Sequence, residues 1–418
     1  MKKLSAVIVT LLSITAGKCY GIQRFPKPEF ETGYVQPDTL TPFPRSEFLA
    51  YLDIIVLVIT LSIISWLILK KRSRLMVFLS SLFSLAYFGF YREGCVCSIG
   101  AIQNVALAAF DHSYVIPLTA LAFFLVPLVY TVLFGRTFCA GICPFGVLQD
   151  LVAFKPQPMG IRLNTILGIL PYLYLGFAIL YAATGTDFII CRYDPFVGVF
   201  RLNASFGMLL FAAILLASGI FIARPYCRFL CPYGVLLNWL SRASWRHMTI
   251  TPSQCIQCRL CEGACPYDAI DVPLVARNPE PRKIRVRKLI LLTLLIPFLV
   301  ITGAWIGMKL YPVFASVNPN VKLANQVLFP AINKNTNESF EIQAYKSSGK
   351  PQEEVVRDAS EVYKSFRNGS MALGGFLGLL FGIKIAGKMI HRHNPDYIPH
   401  KGRCFSCLRC VDYCPVKS

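Results

Sequence analysis

The chain has 418 residues, 55% of them hydrophobic and only 15% charged, with a mean hydropathy of +0.53. Soluble globular domains carry about 25% charged residues, so an ordinary water-soluble enzyme is excluded, as are a disordered and a collagen-like chain. The formal net charge is +20, from 42 Lys and Arg against 22 Asp and Glu; in so apolar a chain this points to basic loops on one side of a membrane and not to nucleic acid.

Lys2 and Lys3 precede an apolar run over 4–16, and the small residues Cys19 and Gly21 follow. Residues 1–21 therefore read as a signal peptide or an uncleaved anchor, with 22–48, rich in proline and polar residues, as an exported segment. A helix needs about 20 apolar residues to cross a ~30 Å hydrocarbon core. Such runs occur at 49–69, 75–91, 115–134, 165–184, 205–223, 289–308 and 371–390. Asp53 lies near one end of the first and is expected at the interface. In the last run, Lys384 and Lys388 can snorkel toward one end, while Gly374, Gly378 and Gly382 recur every four residues, which suits close helix packing. Basic clusters flank one set of ends: Lys70 to Arg74, Arg224 to Arg246, Arg282 to Lys288, and Lys388 to Arg403. With these in the cytoplasm, the fold class is an α-helical integral membrane protein of about seven spans, its N-terminus outside and its C-terminus inside.

Sixteen cysteines are too many for a small disulfide scaffold in a chain of this size. One group is Cys95, Cys97 and Cys191, expected on the outer side, where a disulfide and an outward-facing redox group are both open readings. An internal repeat follows. The segment Gly135-Arg136-Thr137-Phe138-Cys139 through Cys143-Pro144-Phe145-Gly146 aligns with Ala223-Arg224-Pro225-Tyr226-Cys227 through Cys231-Pro232-Tyr233-Gly234. Cysteines at i and i+4 share a helical face or a turn, so Cys139, Cys143, Cys227 and Cys231 supply four thiolates, enough for a further redox or metal centre.

The strongest motif is C-x2-C-x2-C-x3-C-P, at Cys255, Cys258, Cys261, Cys265 and Pro266, and again at Cys404, Cys407, Cys410, Cys414 and Pro415. This is the bacterial ferredoxin spacing for [4Fe–4S] clusters. Structural zinc sites instead pair two short knuckles across a longer gap. In two-cluster ferredoxins the fourth cysteine of each motif ligates the other cluster. Here two spans separate the motifs and return the chain to its starting side, which implies a cytoplasmic split 2[4Fe–4S] ferredoxin-like α+β domain. Cys255, Cys258, Cys261 and Cys414 would hold one cluster; Cys404, Cys407, Cys410 and Cys265 would hold the other.

The resulting organisation places a membrane domain with both C-x3-C-P repeats at 49–246 and the first ferredoxin half at 247–288. A span at 289–308, an exported loop at 309–370 with a surface helix around 353–366, a span at 371–390 and the second ferredoxin half at 391–418 complete it. No C-x-x-C-H, Walker A or G-x-G-x-x-G element is present, and the five histidines fall outside the expected spans.

These residues resemble the NosR/NapH-type membrane polyferredoxins, over roughly 92–271 plus the tail from Arg403. The resemblance implies a multi-pass protein of the bacterial inner membrane, with electron transfer between quinol or a cytoplasmic donor and a periplasmic redox partner. Quinol dehydrogenase activity of its own is an open extension of that role. The chain departs from NosR at the N-terminus, where the short 22–48 segment cannot hold the exported flavin-binding domain. The alternative function is a metal-handling or assembly factor for a respiratory metalloenzyme.

Overall fold

The computed structural model describes residues 47–94, 97–154, 156–157, 159, 161–201, 204–250, 255–273, 282–328, 340–389 and 396–416. The expectations for 1–46 and for Cys95 lie outside the described residues. The described residues open with α1 (Glu47–Trp66) and α2 (Arg74–Ser84), each prolonged by a π-helical turn, Leu67–Lys71 and Leu85–Tyr91. Next come α3 (Ser98–Phe110), α4 (Leu118–Phe134), α5 (Thr137–Gly141) and α6 (Pro144–Val152). A second series follows, with α7 (Ile161–Leu167), α8 (Leu170–Ala183), α9 (Ile189–Tyr193), α10 (Pro195–Arg201), α11 (Phe206–Ser218), α12 (Pro225–Phe229) and α13 (Pro232–Arg242). The remainder is α14 (Leu260–Ala264), β1 (Ile270–Asp271), α15 (Arg282–Ala315), α16 (Pro319–Leu328), α17 (Phe340–Ser348), α18 (Gln352–Met389), β2 (Ile398–Pro399) and α19 (Arg409–Asp412).

Five helical stretches are long and apolar enough to cross a membrane: Phe48–Lys71, Arg74–Tyr91, Leu163–Ala183, Val286–Ala315 and Gln352–Gly387. They fall on the first, second, fourth, sixth and seventh expected spans. The third and fifth are shorter. With 17 and 13 residues, α4 and α11 rise about 25 and 20 Å, less than a ~30 Å core. α4 stops where Gly135 turns to φ +75°. Asp53 is buried: it is 1% exposed, paired with Arg92 at 2.8 Å, and accepts from the Tyr87 hydroxyl at 2.8 Å.

α15 and α18 form a hairpin of 34 and 38 residues, about 51 and 57 Å long and so longer than the bilayer core. The surface helix expected around 353–366 is the first part of α18, continuous with the last span. Small residues let the two backbones touch. A Cβ on Gly307 would stand 2.0 Å from the Ser370 carbonyl oxygen, and one on Gly378 would stand 2.1 Å from that of Leu299.

The hairpin returns the chain to the first ferredoxin half. β1 and β2 pair antiparallel, Ile270 with Pro399 and Asp271 with Ile398. The His400 amide donates to the Ala269 carbonyl at 2.7 Å, and Arg403 bridges Asp271 at 2.6 Å. In the membrane domain, Phe145, Phe196, Phe200 and Tyr226 pack ring on ring, with centroids 5.0 to 5.9 Å apart.

Candidate iron–sulfur sites

The two ferredoxin loops share a backbone conformation that their sequences do not share. Gln257 and Arg259 have φ of 53° and 62°; Ser406 and Leu408, at the same motif positions, have 54° and 62°. None is glycine, and left-handed backbone is unfavourable for side chains with a Cβ. The common feature is the cysteine spacing. Left-handed residues on both sides of the second cysteine curl each loop and turn amide hydrogens toward the sulfurs, forming a concave, anion-favouring nest. The Ser406 amide donates to Cys404 Sγ at 3.3 Å, and the Ala269 amide to Cys265 Sγ at 3.4 Å.

The fourth cysteines are exchanged. Cys255, Cys258, Cys261 and Cys414 line one cavity; Cys265, Cys404, Cys407 and Cys410 line another. Burial pushes the Cys404 thiol up to about 12 and raises Cys407 and Cys410 as well. Metal binding at these positions must therefore displace protons. Among the described residues no three Cys, His, Asp or Glu side chains converge on a single metal ion. Four thiols spread around a cavity suit a multi-iron core better than one zinc ion.

The repeats fold alike. In each, a short helix closes through bonds from residues 142 and 143 to Phe138 O, at 3.0 and 3.2 Å, or from 230 and 231 to Tyr226 O, at 2.8 and 2.9 Å. The second cysteine then caps a helix that opens with proline: Cys143 before α6 and Cys231 before α13. Gly146 and Gly234 direct their amides at these thiols, the latter at 3.3 Å. Negative charge on such sulfurs is favoured by the helix N-terminus. The Gln149 amide donates to Cys227 Sγ at 3.3 Å, and Arg136 Nη2 lies 3.7 Å from Cys139 Sγ. All four thiols lie close enough to interact electrostatically.

Each repeat lends its arginine to the other. Gly146 packs beside Cys139 O and Arg224 Nη1, and Gly234 beside Cys227 O and Arg136 Nη2. Arg224, fully buried, grips Asp150 with two nitrogens and donates to Cys139 O. Both guanidiniums also flank Phe405, the residue after Cys404, at 4.2 Å for Arg136 and 5.5 Å for Arg224. Tyr267 packs on the same ring with centroids 4.7 Å apart, and Arg136 Nη1 donates to Gly402 O at 2.9 Å. The second ferredoxin half is thereby docked on the repeat. Sequence reasoning assigned Arg224 to topology and used Arg136 only to align the repeat; their identical offset before each C-x3-C-P was the available signal.

Cys97 and Cys143 line one small cavity, although a bilayer core was expected to separate the outer and inner cysteines. Cys97 precedes α3, whose Gln103 accepts from the amides of Ile190 at 2.9 Å and Cys191 at 3.3 Å. That anchor draws α9 inward, and Cys191 Sγ lies 3.2 Å from where a Cβ on Gly100 would stand. The eight ferredoxin cysteines thus fall into two sets, the four repeat cysteines into a third, and Cys97 and Cys191 beside the third.

Residues 116–158 and 204–251 match one family described as a 4Fe-4S binding domain, and residues 248–271 match a second family of the same description. The chain is 34% identical over 167 residues to Protein NirI of Paracoccus denitrificans, covering 35% of this chain and 23% of that protein. It is 28% identical over 229 residues to Regulatory protein NosR of Pseudomonas aeruginosa, covering 48% of this chain and 31% of NosR. With the methylamine utilization ferredoxin-type protein MauN of Paracoccus denitrificans it shares 26% identity over 162 residues, 38% of this chain and 57% of MauN. The chain thus spans less than two thirds of each of these relatives. No solved structure matches it.

Proposed function

Because the chain belongs to the NosR/NapH-type family of 4Fe-4S ferredoxin-containing membrane proteins, we propose that it passes electrons between quinol or a cytoplasmic donor and a periplasmic redox system. The observation that carries this reading is the exchange of fourth cysteines, Cys414 into the first set and Cys265 into the second. It supports two [4Fe–4S] clusters ligated across the halves 247–288 and 391–418. Bound there, such clusters supply reversible one-electron chemistry, with potentials set by charge, burial and hydrogen bonds to sulfur.

Cys139, Cys143, Cys227 and Cys231 hold a further redox centre in this reading. The amides of Gly146 and Gly234, Gln149 and Arg136 stabilise the charge on their sulfurs. Phe405 packs against both Arg136 and Arg224 and so links this set to the Cys404 loop. Cys97 and Cys191 extend the series toward the exported side. The basic flanks support a ferredoxin domain in the cytoplasm and an inner-membrane location.

The test is anaerobic addition of quinol, or of a reduced soluble ferredoxin, to the protein in proteoliposomes. Bleaching of the iron–sulfur absorbance by one donor is expected, and enclosed ferricyanide should then be reduced. That second step should be lost with Cys143→Ser. Failure of both donors to bleach the clusters would refute the proposal.

A further inference from the structure

A cavity of about 320 Å³ lies where the second ferredoxin half meets the membrane domain. Arg136, Arg228, Arg242, Lys384 and Arg403 line it together with His400 and with Cys227 and Cys231 of the repeat set, and among the described residues no Asp or Glu does. Two carboxylates reach these cations from outside the wall: Asp268 pairs with Arg228 at 2.8 Å and Asp271 with Arg403 at 2.6 Å. The cations still outnumber them.

Two donors are left over. Arg136 is 5% exposed and the Arg228 side chain 8%, yet Arg136 Nε and Arg228 Nη1 are buried with no hydrogen-bond partner among the described residues. Buried polar atoms without partners are few in folded proteins, and each calls for an explanation such as a bound group. An acceptor with several oxygens and a negative charge would satisfy both. Phosphate does this well, because the guanidinium fork matches two of its oxygens. A neutral quinone ring would bring acceptors but no charge to offset the cations.

The cavity also lies between two candidate membrane spans. Tyr172 lies near the start of α8, and Lys384 lies near the end of α18, donating to Gly168 O at 2.9 Å. Both helices belong to candidate spans. Basic pockets between spans on the cytoplasmic side are sites for anionic lipid head groups.

We propose that this cavity binds a phosphate group, borne by an anionic membrane lipid or by a soluble phosphate ester, and so joins the second ferredoxin half to the membrane domain. The proposal does not depend on which redox partners the clusters serve.

The full-length protein, purified and delipidated in detergent, is titrated with short-chain phosphatidylglycerol, with phosphatidylcholine of the same chains, and with glycerol 3-phosphate. Phosphatidylglycerol should bind at least tenfold more tightly than phosphatidylcholine. Arg228→Gln and Arg242→Gln should each weaken it about tenfold, the usual scale for losing a charge-assisted hydrogen bond. Arg357→Gln, on the exposed face of α18, should change nothing. Tight glycerol 3-phosphate binding with the same variant pattern assigns the site to soluble esters and supports it equally. Equal affinity for the two lipids together with no binding of glycerol 3-phosphate overturns the proposal, as does indifference to both arginine substitutions. Hydrogen exchange on the unsubstituted protein gives a check independent of variant folding. The bound phosphate compound should protect 164–172 and 398–403, and unchanged exchange in both overturns the proposal.

Discussion

Replacing Arg136 by Met tests how the second ferredoxin half is held on the membrane domain. The substitution removes the donor to Gly402 O at 2.9 Å and the cation 4.2 Å from the Phe405 ring centroid, while keeping much of the apolar stem. A hydrogen bond to a charged group contributes about 1.5–3 kcal/mol, and a desolvated cation–π contact contributes ~1–2 kcal/mol. The two share one guanidinium and are not additive, so a loss of roughly 3 kcal/mol is the working figure, about a hundredfold in the open population of 398–412. Hydrogen exchange by mass spectrometry reads that population directly. Exchange in 398–412 should rise about a hundredfold in Arg136→Met, while the α15–α18 hairpin is unaffected. A cycle with Phe405→Leu should give a coupling of about 1 kcal/mol or more. Unchanged exchange, or strict additivity in the cycle, would refute the docking argument.

Three further outcomes follow from separate parts of the fold. Gly307→Leu should part the hairpin, because its Cβ would lie 2.0 Å from Ser370 O; a lower melting temperature and poorer iron retention are expected, with Gly387→Leu, which meets nothing within 4 Å, as the silent control. Burial, then the Arg403 charge, lowers the pKa of His400 below its ordinary 6.5. The folded seam therefore favours neutral imidazole, with a stability contribution present above pH 6.5 and lost as the pH falls below it. Exchange at 398–403 should be faster at pH 5.5 than at 7.5, and His400→Gln should flatten the difference. In a chain whose eight ferredoxin cysteines are Ser, membrane-bound iron should remain and should disappear on adding Cys143→Ser and Cys231→Ser. A folded parent without metal would leave those thiols as packing residues.

The cysteine motifs and the repeat could be read directly, because ligand spacing and a recurring C-x3-C-P are properties of the chain itself. The four left-handed residues could not: Gln257, Arg259, Ser406 and Leu408 carry no glycine signature, and their conformation is imposed by the geometry of the neighbouring cysteines. Hydropathy located the apolar runs but not where helices stop. Residues 115–117 and 219–223 extend the apolar runs without being helical, so two expected spans became the shorter α4 and α11. The Gly374 and Gly378 spacing did anticipate the hairpin contact, though the matching Gly303 and Gly307 gave it its closeness. The placement of Cys191 beside α3 depends on Gln103 capturing the backbone of α9, a long-range contact that no local pattern encodes.

Cross-ligation between the two ferredoxin halves is most directly tested by iron and acid-labile sulfide counts with EPR of the reduced protein, compared across four variants. Cys258→Ala and Cys407→Ala define the signal of each cluster. Cys414→Ala should then alter the signal that Cys258→Ala abolishes, and Cys265→Ala the signal that Cys407→Ala abolishes. The opposite pairing, with Cys414→Ala disturbing the Cys407 signal alone, would contradict it.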